Sequence, residues 1–338
     1  MRACKIMEVC GTHTMSIAKA GLKKLLPPEV ELISGPGCPV CVTPASVIDA
    51  YLELAMRPDV IITSYGDMLK VPGSVRGDNL AARRARGADV RIVFSPMDAI
   101  EIAEAEPSKE VVFLGAGFET TAPGTAASVV AAAGRGVKNF SVLCMLRTIE
   151  PAIRALYAEP DFSIDAFLCP GHVATIIGET GFEFIPRELG LPAVISGFDG
   201  EDILISVSRI LKQLEKGEAK LENEYTRAVA RDGNGLAKAM IEKCLEPCGA
   251  EWRGLGTIPA SGLRLREEYA AFDAEKKFGL VYNEAAGLAG CRCGDVICGR
   301  IAPRDCPLFG SVCTAEDPVG PCMVSSEGAC AAEYKYGE

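Results

Sequence analysis

Short, nearly unbroken apolar runs alternate with stretches in which apolar positions recur every three or four residues along the first two thirds of the chain. Val30-Glu31-Leu32-Ile33, Val60-Ile61-Ile62, Val90 to Phe94, Val111 to Leu114, Phe140 to Leu146 and Ala166 to Cys169 have the length and β-branched content of strands buried on both faces. Ala45 to Met56, Asn79 to Arg86, Ser95 to Glu106, the small-residue stretch through Ala133, Ile149 to Tyr157 and Ile203 to Glu215 carry the helical period. Strand and helix in alternation are the grammar of a parallel sheet covered on both faces, and here that grammar runs through twice. The expected fold class is therefore α/β, with two similar Rossmann-like parallel-sheet domains plus a C-terminal Cys-rich lobe.

The pattern suggests four parts: an N-terminal segment, 1–29; a first α/β domain, 30–109; a second, 110–215; and a helical and Cys-rich lobe, 216–338. Within the last part, Glu218 to Pro247 reads as further helix broken at Gly233-Asn234-Gly235. Trp252 to Pro259 reads as a turn-rich bridge, and Leu265 to Phe278 as a charged helix.

In parallel sheets the functional cleft lies beyond the carboxyl ends of the strands, so polar loops at those ends carry the candidate chemistry. Gly35-Pro36-Gly37-Cys38-Pro39-Val40-Cys41 places two cysteines in a tight, exposed turn opening a helix, where a thiolate is favoured. That spacing suits a reversible dithiol; half of a structural zinc site is the alternative. Cys10 and His13, three apart, could ligate a metal or activate a thiol, or simply form a helix-capping turn. Glu119, after Gly115-Ala116-Gly117, is a proton donor or acceptor or a capping carboxylate. The two-glycine run there is too short to argue for nucleotide binding. His172, in Pro170-Gly171-His172-Val173, closes the set.

Composition adds a second site. The chain has 15 cysteines among 338 residues, and seven of them (Cys291, Cys293, Cys298, Cys306, Cys313, Cys322, Cys330) fall in the last 48 positions, among many Gly and Pro. Thiols without accompanying histidines favour an iron-sulfur cluster of the 4Fe-4S type over zinc. Cys306, Cys313, Cys322 and Cys330 lie in its most turn-rich part and are the expected ligands. Cys291 and Cys293, only two apart, are expected to contribute at most one, and Cys298 reads as a buried thiol. A net charge of -10 argues against nucleic acid as a partner. No apolar run reaches the length of a membrane span, and the N-terminus lacks a signal-peptide core, so a cytoplasmic location is expected.

Cys10-Gly-Thr-His13-Thr, GPGCPVCVTP, Gly117-Phe-Glu119-Thr-Thr, Pro170-Gly-His172-Val, CPLFGSVC and GPCMVSSEGAC together resemble, in order, the HypD family of NiFe-hydrogenase maturation factors. The resemblance implies a C-terminal 4Fe-4S cluster, a stable complex with the small chaperone HypC, and a transient one with HypE, the cyanide donor. On the HypC complex the Fe(CN)2(CO) fragment of the hydrogenase centre would be assembled. Cys10 would then be a ligand of that transient iron with its cyanide and carbonyl ligands. His13, His172 and Glu119 would orient groups or move protons, and Cys38 with Cys41 would exchange electrons. A stand-alone thiol-disulfide oxidoreductase with a structural metal lobe is the rival expectation.

Overall fold

The computed structural model describes residues 3–283 and 288–337. The chain starts with β1 (Cys4–Glu8) and β2 (Val30–Ser34), then builds β3 (Val60–Ser64), β4 (Asp89–Ile92), β5 (Glu110–Gly117) and β6 (Phe140–Leu146), and continues with β7 (Ala166–Pro170), β8 (Ala193–Ser196) and β9 (Leu221–Asn223). One sheet has the order β2-β1-β7-β8-β9, the other β4-β3-β5-β6, and every pairing in both is parallel. Two parallel sheets covered by helices are thus present, as the apolar runs require.

The sheets do not divide where the expected domains do. β1 belongs to the segment set aside as 1–29, yet it is paired on both sides, and β2 joins it rather than β3 and β4. β5 and β6 complete the sheet of β3 and β4 across the proposed boundary at 109/110. Alternation of strand and helix records what each segment is, not which edge it joins, so a chain that leaves one sheet and returns to it is invisible to the pattern.

Helices cover the outer faces. Ile17, Ile203, Val207 and Ile210 close over Ile6, Leu32, Leu168 and Val194 of the first sheet. Ala99, Ile100, Ala122, Ala126 and Val129 close over Ile61, Val111, Phe113 and Phe140 of the second. Ser95 and Asp98 cap the helix Pro96–Ala105 reciprocally, and at the start of Gly200–Lys216 the Asp202 carboxylate accepts the Asp199 N–H. A third cluster is common to both sheets: Met7, Phe167 and Ile195 share it with Ile62, Val112 and Leu114, and with Trp252, Cys293 and Cys322.

The region expected to be helix, bridge and charged helix holds an antiparallel hairpin, β10 (Leu245–Trp252) and β11 (Gly256–Leu265), after the helix Gly235–Cys244. Trp252 is fully buried, and its indole N–H donates to Ser261 Oγ at 2.8 Å. The turn residues 253–255 make the hairpin loop, and tertiary packing of Trp252 outweighs a local preference for turn. Only 274–278 of the expected charged helix is α-helical. Beyond it, the lobe packs through Ala329–Tyr336 on the helix Gly11–Lys19, and through Cys293–Ile297 and Pro321–Val324 on the turn of helix Pro39–Val42. Among the described residues no helix is long and apolar enough to cross a membrane.

Phe167 is fully buried on β7, between β1 and β8, in the core common to both sheets. Phe167→Ala should cost about 3–5 kcal/mol. The emission of Trp252, the one tryptophan of the chain, should report the same lowered midpoint as far-UV circular dichroism. An unchanged Trp252 transition beside a lowered dichroism midpoint would show that the two sheets unfold separately.

Candidate functional site

The carboxyl ends of both sheets meet around one cleft of about 430 Å³, with Cys10, Asp67, Phe118, Thr121, His172 and Glu327 among its walls. Cys10 follows β1 and forms the N-cap of Gly11–Lys19, so its side chain stands where the sheet ends and the helix begins. The loop after β2 presses on it: Gly11 N–H donates to Gly37 O at 3.1 Å, and a Cβ on Gly37 would lie 2.3 Å from the Cys10 nitrogen. Only glycine permits that approach, which brings the first two motifs into backbone contact.

Cys38 caps the single turn Pro39–Val42, and a disulfide joins it to Cys41 with their Cα atoms 5.3 Å apart. The expected exposed turn is not what the fold provides. Cys38 is 4% and Cys41 0% exposed, because residues nearly 300 positions away cover them. Ser325 Oγ lies 3.4 Å from Cys38 Sγ, and its hydroxyl donates to that sulfur while accepting Glu327 N–H at 3.2 Å. Arg253 N–H donates to Val42 O, and its guanidinium to Thr43 O.

Glu327 reaches the first motif as well, since Thr12 Oγ1 donates to its Oε1 at 2.8 Å. Burial, then the charges of Glu327 and Glu8 around it, push the Cys10 thiol up to about 12, so it is protonated at neutral pH unless a cation draws the proton off. Glu8 is itself buried, taking the Thr14 hydroxyl and, at 3.0 Å, the Cys10 N–H. Burial raises its carboxyl to about 8. Neither carboxylate was singled out from the sequence. A lone charge inside the apolar run Ile6 to Val9 is the signal that could have found Glu8.

The two histidines are joined by a ring. His172 stacks on Phe198 with centroids 3.7 Å apart, and His13 on Phe198 at 4.6 Å. His13 is fully buried with Nε2 2.9 Å from Gly197 O. A carbonyl can only accept, so Nε2 carries the hydrogen and Nδ1 is a buried acceptor without a partner. Burial lowers His13 to about 4, leaving it neutral at physiological pH and suited to hold its helix in place. His172 is exposed on the cleft wall.

Glu119 is not among the lining residues, although Phe118, Thr120 and Thr121 are. Its Oε1 accepts Ile149 N–H at 2.8 Å and so caps Ile149–Tyr157, while Oε2 is buried without a partner. Of its two readings, the structure displays the capping one.

In the lobe, the Cys322 thiol hydrogen-bonds with both Cys293 and Cys330, and Cys291 with Cys293. Cys330 is held low because its sulfur receives the thiols of Cys293 and Cys322. Cys313 accepts Val319 N–H at 3.3 Å beside them. A Cβ on Gly320 would lie 2.6 Å from both the Cys291 and the Cys293 sulfurs, so this cradle excludes any side chain there. Both sulfurs of the pair therefore face Gly320, and Cys293 opens the helix Cys293–Ile297, so the pair does not lie in the extended segment from which at most one ligand was expected. Cys298 is a buried thiol lying 3.6 Å from Gly254 O, as expected. Cys306 is half-buried near Arg292. Among the described residues no three His, Cys, Asp or Glu side chains already stand in a metal-holding arrangement. The donor chemistry fits an iron-sulfur cluster nonetheless: soft thiols gathered around a cradle only a glycine permits.

The model of the HypD family, described as "Hydrogenase formation hypA family", matches residues 1–337. The chain is 48% identical over 337 residues to "Hydrogenase maturation factor HypD" of Rhodobacter capsulatus, covering 98% of this chain and 89% of that protein. It is 46% identical over 336 residues to the protein of the same name from Escherichia coli (strain K12), covering 99% and 90%. "Hydrogenase expression/formation protein HupD" of Azotobacter chroococcum mcd 1 is 46% identical over 342 residues, with the same two coverages.

Burial raises the Glu119 carboxyl to about 7 from its ordinary 4.5. Between those values the folded chain keeps a proton the unfolded chain has lost, so this group's contribution to stability falls as pH rises through that window. Glu119→Gln should flatten the decline by about 1–3 kcal/mol, read from denaturant midpoints across the window. Parallel curves for variant and wild type would show that Glu119 is ionised in the fold.

Proposed function

The chain belongs to the HypD family of hydrogenase maturation factors, and from that premise we propose that it is the scaffold on which, with HypC, the Fe(CN)2(CO) fragment of the NiFe-hydrogenase centre is put together in the cytoplasm. Cyanide would arrive from a transiently docked HypE. The observation that carries this reading is the convergence on one cleft: a single free thiol, Cys10, stands between the carboxyl ends of two sheets, in contact with the loop of the Cys38–Cys41 disulfide and beneath Glu327.

In this reading Cys10 gives its thiolate to the incoming iron, and ligands from HypC complete the set. Iron bearing cyanide and carbonyl is soft and takes thiolate well. The proton that Cys10 releases has the Glu327 carboxylate beside it, whose affinity for a proton burial raises. His172 reaches the same cleft from β7 and offers a ring nitrogen to the fragment's ligands. Cys38 and Cys41 store two electrons as a dithiol and release them, with two protons, on closing the disulfide.

Cys313, Cys322 and Cys330 would hold a 4Fe-4S cluster together with Cys306, and Cys293 competes with Cys306 for the fourth place. When bound, such a cluster supplies one-electron redox chemistry next to the disulfide. The helices carrying Cys293 and Cys322 pack directly on the turn that carries Cys38 and Cys41. Burial of that disulfide disfavours the rival, a stand-alone oxidoreductase, whose sulfurs must be open to a substrate thiol.

Two measurements test this reading. Cys10→Ser in the complex with HypC should lose the cyanide and carbonyl infrared bands while iron-sulfur absorbance stays, and persistence of the bands would remove Cys10 as the ligand. Single Ser substitutions at Cys293, Cys306, Cys313, Cys322 and Cys330, scored by iron content after anaerobic purification, should abolish the cluster at four positions. Retention at Cys313, Cys322 or Cys330 would overturn the assignment, and the behaviour of Cys293 against Cys306 decides the fourth ligand.

A further inference from the structure

The carboxyl ends of three neighbouring strands, β1, β7 and β8, are tied together by three rings. His13 stands on the helix after β1, His172 on the helix after β7, and Phe198 in the loop after β8, between the two imidazoles. The planes are nearly parallel, at 19° for His172 and 27° for His13. His13 cannot shift, because it is wholly buried and bonded to Gly197 O next to Phe198. Tyr225 meets the edge of Phe198 at 6.0 Å and 88°, and the Arg227 guanidinium lies over Tyr225 while pairing with Asp202. Phe198 is thus braced on one face and on its edge, leaving its other face to the exposed His172.

We propose that Phe198 is a positioning residue: it fixes the plane of His172 so that the imidazole edge, with its nitrogens, points along the cleft wall toward whatever Cys10 holds. This rests on the reading that Cys10 binds the iron fragment, whose cyanide nitrogens are hydrogen-bond acceptors. A stacked ring can slide or turn in its own plane but cannot tip out of it without losing the contact. An unstacked His172, exposed at the start of a seven-residue helix, would have two free torsions and no preferred direction. Because the helix bearing His13 begins at Cys10, the stack also refers the His172 plane to the proposed iron ligand through one rigid turn.

The test uses the iron-free chain, so its result does not depend on whether Cys10 binds iron. His13 and His172 are the only histidines, and selective labelling gives two ring signals that are followed against pH. The charged groups around the stack are Asp199, Asp202, Glu224 and Arg227 on the Phe198 side, and Asp67 and Glu327 across the cleft. Phe198→Leu leaves all six unchanged and keeps an apolar side chain in the space.

In the wild type, partial burial holds His172 below the ordinary histidine range. In Phe198→Leu it should titrate higher, toward the ordinary value, and its modification by diethyl pyrocarbonate should quicken about 2- to 10-fold, the size of one aromatic stack. Phe198→Tyr, which retains the ring, should restore both. An unchanged His172 titration and reactivity in Phe198→Leu would overturn the proposal, as would failure of Phe198→Tyr to restore them. If Phe198→Leu also frees His13 to titrate near its ordinary value, Phe198 holds the loop rather than the His172 plane, and the proposal falls. Loss of the infrared bands in Cys10→Ser bears on the iron reading alone.

Discussion

Everything at the cleft depends on the approach of two backbones, at Cys10 and Gly37. Parallel neighbours β1 and β2 deliver their following loops to the same edge of one sheet, and the absence of a side chain at Gly37 lets those loops touch. The contact sets a free thiol and a disulfide into one rigid unit. A side chain at Gly37 would force the loops apart, and no repacking of neighbours could compensate, because the obstructing atoms are backbone.

That unit is closed from outside by the end of the chain. Ser325 touches the disulfide, Glu327 takes the Thr12 hydroxyl, and the thiol group of the lobe lies behind them. Ser325 to Glu327 therefore belong to the cleft as much as to the lobe. The result is an interior rich in titratable groups, in which burial holds Cys10 and Glu8 in their protonated forms and raises the Glu327 carboxyl. A cation entering such a site can displace those protons and pair with the thiolate and carboxylates they leave, which agrees with a site for a metal fragment.

The second constraint is how the two sheets are threaded. Since β1 and β2 precede the whole second sheet while β7 to β9 follow it, the second sheet is inserted in sequence between the two parts of the first. The common core, from Phe167 through Val112 to Trp252, binds the two together. His172 and Phe198 follow the late strands, Cys10 and Gly37 the early ones, so the cleft draws on both parts of the first sheet.

The sequence alone determined the elements and the residue types. Runs such as Val111 to Leu114 must be buried strands, since no other local structure hides so many consecutive β-branched and apolar side chains. The polar loops after Val9, Ser34, Gly117 and Cys169 are loops at strand ends for the same reason, and all four reached the cleft region. Late cysteines among Gly and Pro marked a thiol lobe on composition alone. The tertiary structure decided what depends on distant partners: which sheet a strand joins, that Ser325 buries the Cys38–Cys41 pair, that Glu119 caps a helix behind the cleft, and that Cys291 and Cys293 both face Gly320. Phe198 shows the limit most clearly. Nothing in its neighbours along the chain distinguishes it from any half-buried aromatic, and its place between two imidazoles exists only because three strand ends, drawn from residues 4 to 196, lie side by side.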